Sequence, residues 1–170
     1  MEFEKLISTR YSVRSYKSDP VPEGELHKVL DAARLAPTAA NRQPFRIIVV
    51  HTENRKDELR QIYGREWFVQ PPLVVCICAL KDEAWVRGDG KSFSDVDAAI
   101  VMDHLILAAA DRGLGTCWVG AFDARKARQI LGLPGSAEPI AFTPLGYPAD
   151  SPGAKQRKSV EQLVLYDRWS

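Results

Sequence analysis

Apolar residues recur at helical spacing in several stretches of the chain. From residue 23 to 35 they stand three and four positions apart, with acidic residues in the first turn, which predicts an amphipathic helix. Residues 96–112 are apolar on nearly every side of a helix, and Asp95 or Asp97 can cap its start. Shorter helices are predicted over residues 2–8, 56–63 and 124–131. Asp123 is the predicted cap of the last of these.

Continuous apolar runs rich in β-branched residues predict the strands. Two such runs cover residues 45–50 and 73–80, and shorter ones cover residues 116–121 and 140–146. The polar stretch 81–94, which precedes the long helix, predicts a mobile loop or a short lid.

Two apolar segments need more cover than one small domain provides. A helix that is apolar all round, as residues 96–112 are, must be buried on most sides, and a subunit interface is the natural cover. The tail from residue 157 to 166 is also too apolar to be free in water, so we expect it to pack against something.

Composition and charge narrow the class of protein. The chain has 170 residues, 45% of them hydrophobic, and a formal net charge of +1. These values suit one globular α/β or α+β domain over residues 1–170, and they argue against nucleic acid or an anionic membrane as the main partner. No apolar run reaches the length of a membrane span, and the start of the chain lacks the layout of a signal peptide. We therefore expect a cytoplasmic protein.

The three cysteines predict neither a disulfide nor a metal site. Cys76 and Cys78 lie two apart in a strand, so they share a face and do not easily bridge each other. Together with Cys117 they are too few for a four-ligand zinc site unless histidines help. Buried, reduced thiols are the prediction.

Basic residues form two clusters that are far apart in sequence. Arg10 and Arg14 flank Ser12, and the second cluster, near the other end, contains Lys155 and Arg157. Arginine binds phosphate oxygens through paired hydrogen bonds, and a serine hydroxyl adds a directional donor. A phosphate dianion in a partly dry pocket needs more than one cation, so we predict that the clusters meet on a phosphate. Taken alone, the first cluster fits two solvated arginines equally well.

A loop bracketed by prolines, residues 36–44, is the second candidate site. Asn41 and Gln43 can donate and accept hydrogen bonds at once, which suits the mixed polar edge of a heterocycle. Pro37 offers a rigid wall without a donor for a flat ring. Taken alone, the loop is better explained as an ordinary connection.

The glycines do not form a dinucleotide motif. Gly113 and Gly115 follow a helix rather than open one, and Gly120 does not stand where a Rossmann turn needs it. Gly120 either lets a backbone N–H approach a ligand or simply makes a tight turn. The histidines and carboxylates form no hydrolytic triad, metal cluster or acid/base pair, so we predict no catalytic side chain.

As a set, these features resemble the FMN-dependent nitroreductases. The similarity keeps its order over almost the whole chain, through residues 10–14, 36–45, 95–122, 144–148 and 155–158. It implies an α+β fold with a central mixed β-sheet flanked by helices. It also implies an intertwined homodimer with the long helix at its core and two FMN molecules at the interface.

The resemblance implies roles for single residues near the FMN phosphate and the pyrimidine side of the flavin. This implied set is Arg10, Tyr11, Ser12, Arg14, Lys155 and Arg157. Arg14 matches a basic residue near flavin N1 and O2, where a cation stabilises the negative charge of the reduced ring.

Two further segments are implied to bind the flavin. The loop that the second subunit contributes matches Pro37, Thr38, Ala39, Asn41 and Gln43. The strand end whose backbone N–H points at flavin N5 matches Cys117, Trp118, Val119 and Gly120. Thr38 stands where serine is common, and Val119 stands where some members carry an acidic residue.

The implied activity is an FMN-based ping-pong reaction. NADH or NADPH delivers hydride to flavin N5 and leaves, and a nitroaromatic compound, a quinone or a similar acceptor is then reduced. Because the flavin does the chemistry, this scheme needs no acid/base pair. The alternatives are another reaction on the same scaffold, such as dehalogenation or an oxidase reaction, and a flavin carrier without NAD(P)H turnover.

Overall fold

A computed structural model describes residues 1–169 of the chain. In chain order, the elements of this part are α1 (Phe3–Thr9), α2 (Glu23–Arg34), β1 (Phe45–His51), α3 (Lys56–Ile62), β2 (Leu73–Leu80), α4 (Ser94–Asp111), β3 (Gly115–Thr116), α5 (Ala124–Leu131), β4 (Ala137–Gly146) and α6 (Val160–Leu163). Within residues 1–169, no helix combines the length and apolarity that crossing a bilayer requires.

The strands form one sheet in the order β1-β2-β4-β3, and every neighbouring pair is antiparallel. Strand β2 is central and buried along its whole length. Among residues 1–169, the one parallel pairing is a single bridge between Ser12 and Thr116. The α+β class is confirmed, and the sheet is mixed only through that bridge, because the N-terminal segment runs beside β3 for a single residue.

The core has two layers, one on each face of the sheet. Helices α2 and α4 cover one face, where Val75 and Ile77 of β2 pack. Helices α3 and α5 lie on the other face, with Cys76 and Cys78 of β2 beneath them. This alternation follows from the two-residue period of a strand. The Cys76 and Cys78 sulfurs lie 3.7 Å apart on one face without a disulfide, as predicted.

The ends of α4 and β3 differ from the sequence prediction. Helix α4 begins at Ser94, so Phe93 occupies the cap position and neither Asp95 nor Asp97 caps the helix. The Asp97 carboxylate instead accepts a hydrogen bond from the distant Ala39 N–H. Strand β3 stops at Thr116, because the next amide donates to the Thr143 hydroxyl rather than to a strand carbonyl. The predicted cap of α5 is confirmed: the Asp123 carboxylate accepts from the Lys126 N–H at 2.9 Å.

The polar stretch 81–94 contains a short 3₁₀ turn over Lys81–Glu83 and a small hairpin before α4. Val86 and Ser92 form a bridge, and the Trp85 and Phe93 rings meet edge to face with centroids 4.9 Å apart. The two aromatic residues, isolated in the sequence, therefore hold the ends of the hairpin together.

Two apolar surfaces lack cover within the protomer. One is the outer face of α4, where the apolar side chains of Val96, Ile100 and Leu107 are exposed or half-buried and lie beside the charged Asp103. The other is the C-terminal tail, residues 151–169, which is exposed throughout; Trp169 is 91% exposed. The expectation that the tail packs is therefore not met inside one protomer.

Candidate cofactor site

The N-terminal basic segment is fixed against the end of β3. The Val13 N–H donates to the Thr116 carbonyl at 2.9 Å, and the Val13 side chain is 2% exposed. A Cβ atom on Gly115 would lie 2.7 Å from Val13 Cγ2, so this close approach requires glycine. Burial of Val13 turns the flanking residues Ser12 and Arg14 outward.

Replacing Gly115 with alanine is expected to destabilise the protein by about 1–3 kcal/mol, because the new methyl group overpacks against Val13. The displaced segment should also bind anions less well. Thermal denaturation measures the first effect. Gly135→Ala is the matched control, because a Cβ atom there meets nothing within 4 Å. Equal melting temperatures for the two variants would refute the packing constraint.

The C-terminal segment returns to the N-terminal segment and runs alongside it. The Lys17 N–H donates to the Tyr147 carbonyl at 2.9 Å, and the Ala149 N–H donates to the Ser15 carbonyl at 2.8 Å. Further along, the Lys155 ammonium donates to the Ile7 carbonyl at 2.8 Å. The two basic clusters, separated by most of the sequence, are therefore brought side by side.

A groove of about 460 Å³ lies between these segments. The predicted cofactor-binding residues that line it are Arg10, Tyr11, Ser12, Arg14, Lys155 and Arg157. All six lie on one continuous surface, and Asp150 lines the same groove. The convergence predicted from the two clusters is thus present in the fold.

The groove carries net positive charge, because four cations and one carboxylate line it. Within residues 1–169, the cations Arg10, Arg14, Lys155 and Arg157 form no salt bridge with a carboxylate. Desolvation, and then repulsion from Arg10 and Arg157, lowers the pKa of Lys155. A bound dianion would relieve this repulsion, so the donor set fits a phosphate.

Asp150 ties the groove together and was not singled out in the sequence. Its carboxylate accepts from the Arg14 N–H at 2.9 Å and from the Tyr11 hydroxyl at 3.1 Å. Burial, and then the hydrogen bond to Asp150, raises the pKa of Tyr11, which keeps that hydroxyl a neutral donor. The carboxylate therefore links the two segments. Asp150 lies two residues after Pro148, the last residue of the 144–148 motif, and this proximity is the signal that could have found it.

Trp67 is a second residue that the sequence did not reveal. The Arg14 guanidinium carbon lies 6.0 Å from the centroid of the Trp67 ring, a cation–π arrangement that restricts the arginine. Trp67 belongs to residues 64–70, a stretch without a recognisable motif.

The strand end after β3 adjoins the same surface. The Cys117 and Val119 amides donate to Thr143 Oγ1 and the Phe142 carbonyl, and both side chains are buried. The Trp118 and Gly120 amides make no hydrogen bond within residues 1–169. Of the four predicted residues, these two alternate positions are the ones whose N–H groups remain available to a ligand.

The thiol of Cys117 is not an activated nucleophile. Burial raises its pKa, although the Arg14 charge acts in the opposite direction. The buried thiol therefore stays neutral.

The proline-bracketed loop is held in an unusual backbone conformation. Ala40, Asn41 and Gln43 have φ angles of 51°, 53° and 52°, in the left-handed region that disfavours side chains. Each such residue raises the free energy of the folded state by about 1 kcal/mol or more, and such conformations cluster at functional sites. Thr38 Oγ1 accepts from the Gln43 N–H at 3.0 Å, and the Gln43 amide donates to Asn41. We call residues 37–43 the amide loop.

The amide loop and the groove lie at opposite ends of α4. Asp97, near the start of the helix, contacts Ala39 of the loop, whereas Ala110, near its end, lines a small pocket with Arg10. About 20 Å of helix separates these two positions. The structure therefore does not bring Pro37, Thr38, Ala39, Asn41 or Gln43 to the groove of the same protomer.

Residues 1–169 contain no group of three or more histidine, cysteine, aspartate or glutamate side chains that could hold a metal ion. The candidate site is thus defined by cations, a serine hydroxyl and backbone amides.

Comparisons with known proteins point to one family. The model of the Nitroreductase family matches residues 7–72 and 63–147. A protein from Thermus thermophilus described as an NADH dehydrogenase is 32% identical over 188 residues, which cover 92% of each chain. An NAD(P)H-dependent FMN reductase from Bacillus subtilis is 28% identical over 95% of this chain and 72% of its own. The crystal structure of a nitroreductase family protein from Clostridium difficile matches with a TM-score of 0.92 and 36% identity, over 99% of this chain and 100% of that one.

Proposed function

The chain belongs to the nitroreductase family, and on this premise we propose that it uses bound FMN to pass electrons from NADH or NADPH to nitroaromatic, quinone or similar acceptors. It is an NAD(P)H-dependent oxidoreductase, the class in which its relatives are named. The finer parts of the proposal are the acceptors, the ping-pong order of the reaction and the homodimer.

One observation carries the proposal: the groove in which cations from both ends of the chain meet. Arg10, Lys155 and Arg157 line it without carboxylate partners among residues 1–169, and Ser12 adds a hydroxyl donor. This donor set matches the three acceptor oxygens of a phosphate monoester, such as the one FMN carries. A nicotinamide dinucleotide site of the Rossmann type has no counterpart in this surface.

The chain's own residues would position the cofactor rather than react with it. Arg10, Ser12, Lys155 and Arg157 would hold its phosphate, and Arg14, restricted by Trp67, would place a cation near the pyrimidine edge. The unpaired Gly120 amide would donate to the ring on the side of N5. FMN, when bound, supplies the two-electron chemistry, so protein groups only orient it and tune its charge.

A second protomer would complete the site. The amide loop is about 20 Å from the groove of its own chain along α4. Two α4 helices packed antiparallel through their outer faces would place the amide loop of one protomer beside the groove of the other. The half-buried side chain of Leu107 and the exposed side chains of tail residues such as Leu163 and Trp169 are the kind of apolar surface that a dimer buries.

Anaerobic reduction tests the proposed activity. Purified protein should be yellow, and NADH or NADPH added without oxygen should bleach it, with colour restored by a quinone or a nitroaromatic compound. Yellow protein that neither nucleotide bleaches would favour a flavin carrier. Colourless protein that does not take up added FMN would refute the proposed function.

A further inference from the structure

We infer that Asp97 is a positioning residue for the cofactor site, because its buried carboxylate fixes the amide loop against α4. The inference rests on the proposed function, since it takes the amide loop as the part of one protomer that meets the cofactor of the other. Nothing in the sequence motifs marks Asp97 for this role, and its place in the first turn predicts a helix cap.

Within residues 1–169, one hydrogen bond joins the amide loop to a separate element. The hydrogen bonds of Thr38, Asn41, Arg42 and Gln43 stay within the loop or reach its flanking residue Phe45. Within residues 1–169, the bond from the Ala39 N–H to Asp97 Oδ1, 2.8 Å long, is the hydrogen bond that joins residues 37–43 to a separate element.

This attachment acts on a strained segment. Ala40, the residue after the bonded amide, is the first of the three with a left-handed backbone. Without an anchor at Ala39, a loop of non-glycine residues would relax toward ordinary backbone angles and turn its amide side chains elsewhere. The carboxylate therefore determines the direction in which Asn41 and Gln43 point.

Fold stability alone does not explain an acid at this position. Asp97 is 1% exposed, and its second oxygen, Oδ2, is buried without a hydrogen-bond partner in residues 1–169. A half-satisfied buried carboxylate disfavours folding, although the positive end of the α4 dipole offsets part of this effect. An alanine at position 97 would fit the helix without this unfavourable contribution. The hydrogen bond to Ala39 therefore explains the carboxylate.

Two substitutions at Asp97 separate its hydrogen bond from its charge. Asp97→Asn keeps an oxygen at Oδ1, whereas Asp97→Ala removes the acceptor. Asp97→Ala should raise the FMN Kd of the apoprotein and the quinone KM of the FMN-loaded protein by about tenfold, the loss expected for one charge-assisted bond. Asp97→Asn should restore both values to within about threefold of wild type. Flavin fluorescence titration and steady-state kinetics give these values.

A substitution on the loop side tests the same bond independently. Ala39→Pro removes the N–H donor, and the extended backbone of Thr38, with φ −131° and ψ 156°, is the conformation that precedes proline. Combined with Asp97→Ala, it should weaken FMN binding no further than either single change does. If the two effects instead add, or if Asp97→Asn is as impaired as Asp97→Ala, the positioning role is wrong. If Asp97→Ala does not fold, the FMN Kd of the Ala39→Pro variant still tests the hydrogen bond between Ala39 and Asp97.

Thr52→Val controls for a general loss of stability, because it removes a buried hydrogen bond to the Pro71 carbonyl away from the groove and the amide loop. It should lower the melting temperature and leave FMN binding and the quinone KM unchanged. If wild-type protein binds no FMN, the proposed function itself fails. If wild-type and all Asp97 and Ala39 variants bind FMN equally, only the role of Asp97 fails.

Discussion

Replacing both Arg10 and Arg157 with alanine is expected to weaken FMN binding by at least about 100-fold. The two guanidiniums line the groove from opposite ends of the chain and have no carboxylate partner in residues 1–169. Each hydrogen bond between a charged donor and a phosphate oxygen contributes about 1.5–3 kcal/mol, so the loss of two has a large effect. Quenching of flavin fluorescence during titration of the apoprotein measures the Kd.

Lys158→Ala is the matched control for the double substitution. Lys158 belongs to the same basic stretch as Arg157 but does not line the groove. Its loss should change the Kd for FMN by no more than about threefold, the effect of a distant screened charge. An equal rise in the FMN Kd for Lys158→Ala and for the double variant would mean that only overall charge matters.

Replacing Leu107 with aspartate is expected to produce monomers that no longer hold flavin. Leu107 is half-buried on the outer face of α4 and does not belong to either core cluster. A charge there would be desolvated in a helix-to-helix interface, which costs several kcal/mol, but it stays in water when the protomer is alone. Because the amide loop would reach the groove only across that interface, flavin should be lost together with the dimer. Sedimentation velocity followed at both the protein and the flavin absorption bands measures the oligomeric state and the retention of flavin.

Leu131→Asp separates dissociation from simple destabilisation. Leu131 is a half-buried leucine of α5 that packs beside the second core cluster, on the sheet face opposite to α4. This variant should melt at a lower temperature yet remain a yellow dimer. A Leu107→Asp protein that sediments as a dimer and keeps its colour would show that α4 is not the interface.

The sequence predicted the elements whose signals are local. Strand β2 stands out because a run of apolar residues buried on both faces has few alternatives, and Asp123 is followed directly by a helix. The face of α4 that points away from the core could not be predicted in the same way. Its residues are apolar nearly all round, so only the packed structure shows that Ile106 is 7% exposed and turned inward while its neighbour Leu107 is turned outward.

In the candidate site, too, the residue types could be predicted from the sequence, whereas the tertiary contacts could not. The basic clusters were visible as residue types, and the fold confirmed that they line one groove. The residues that orient them were not visible, because Trp67, Asp97 and Asp150 act through contacts far away in sequence. An aspartate in the first turn of a helix predicts a cap, and only tertiary structure reveals that its carboxylate bonds to a loop.

Comparing FMN with riboflavin tests most directly whether the converging cations hold a phosphate. The two flavins share the same ring and differ in the phosphate, so the ratio of their dissociation constants isolates the groove. Wild-type protein should bind FMN at least about 100-fold more tightly than riboflavin, and the Arg10→Ala/Arg157→Ala variant should lose most of that preference. Equal affinity of the wild-type protein for both flavins, or a preference unchanged in the double variant, would contradict the phosphate site.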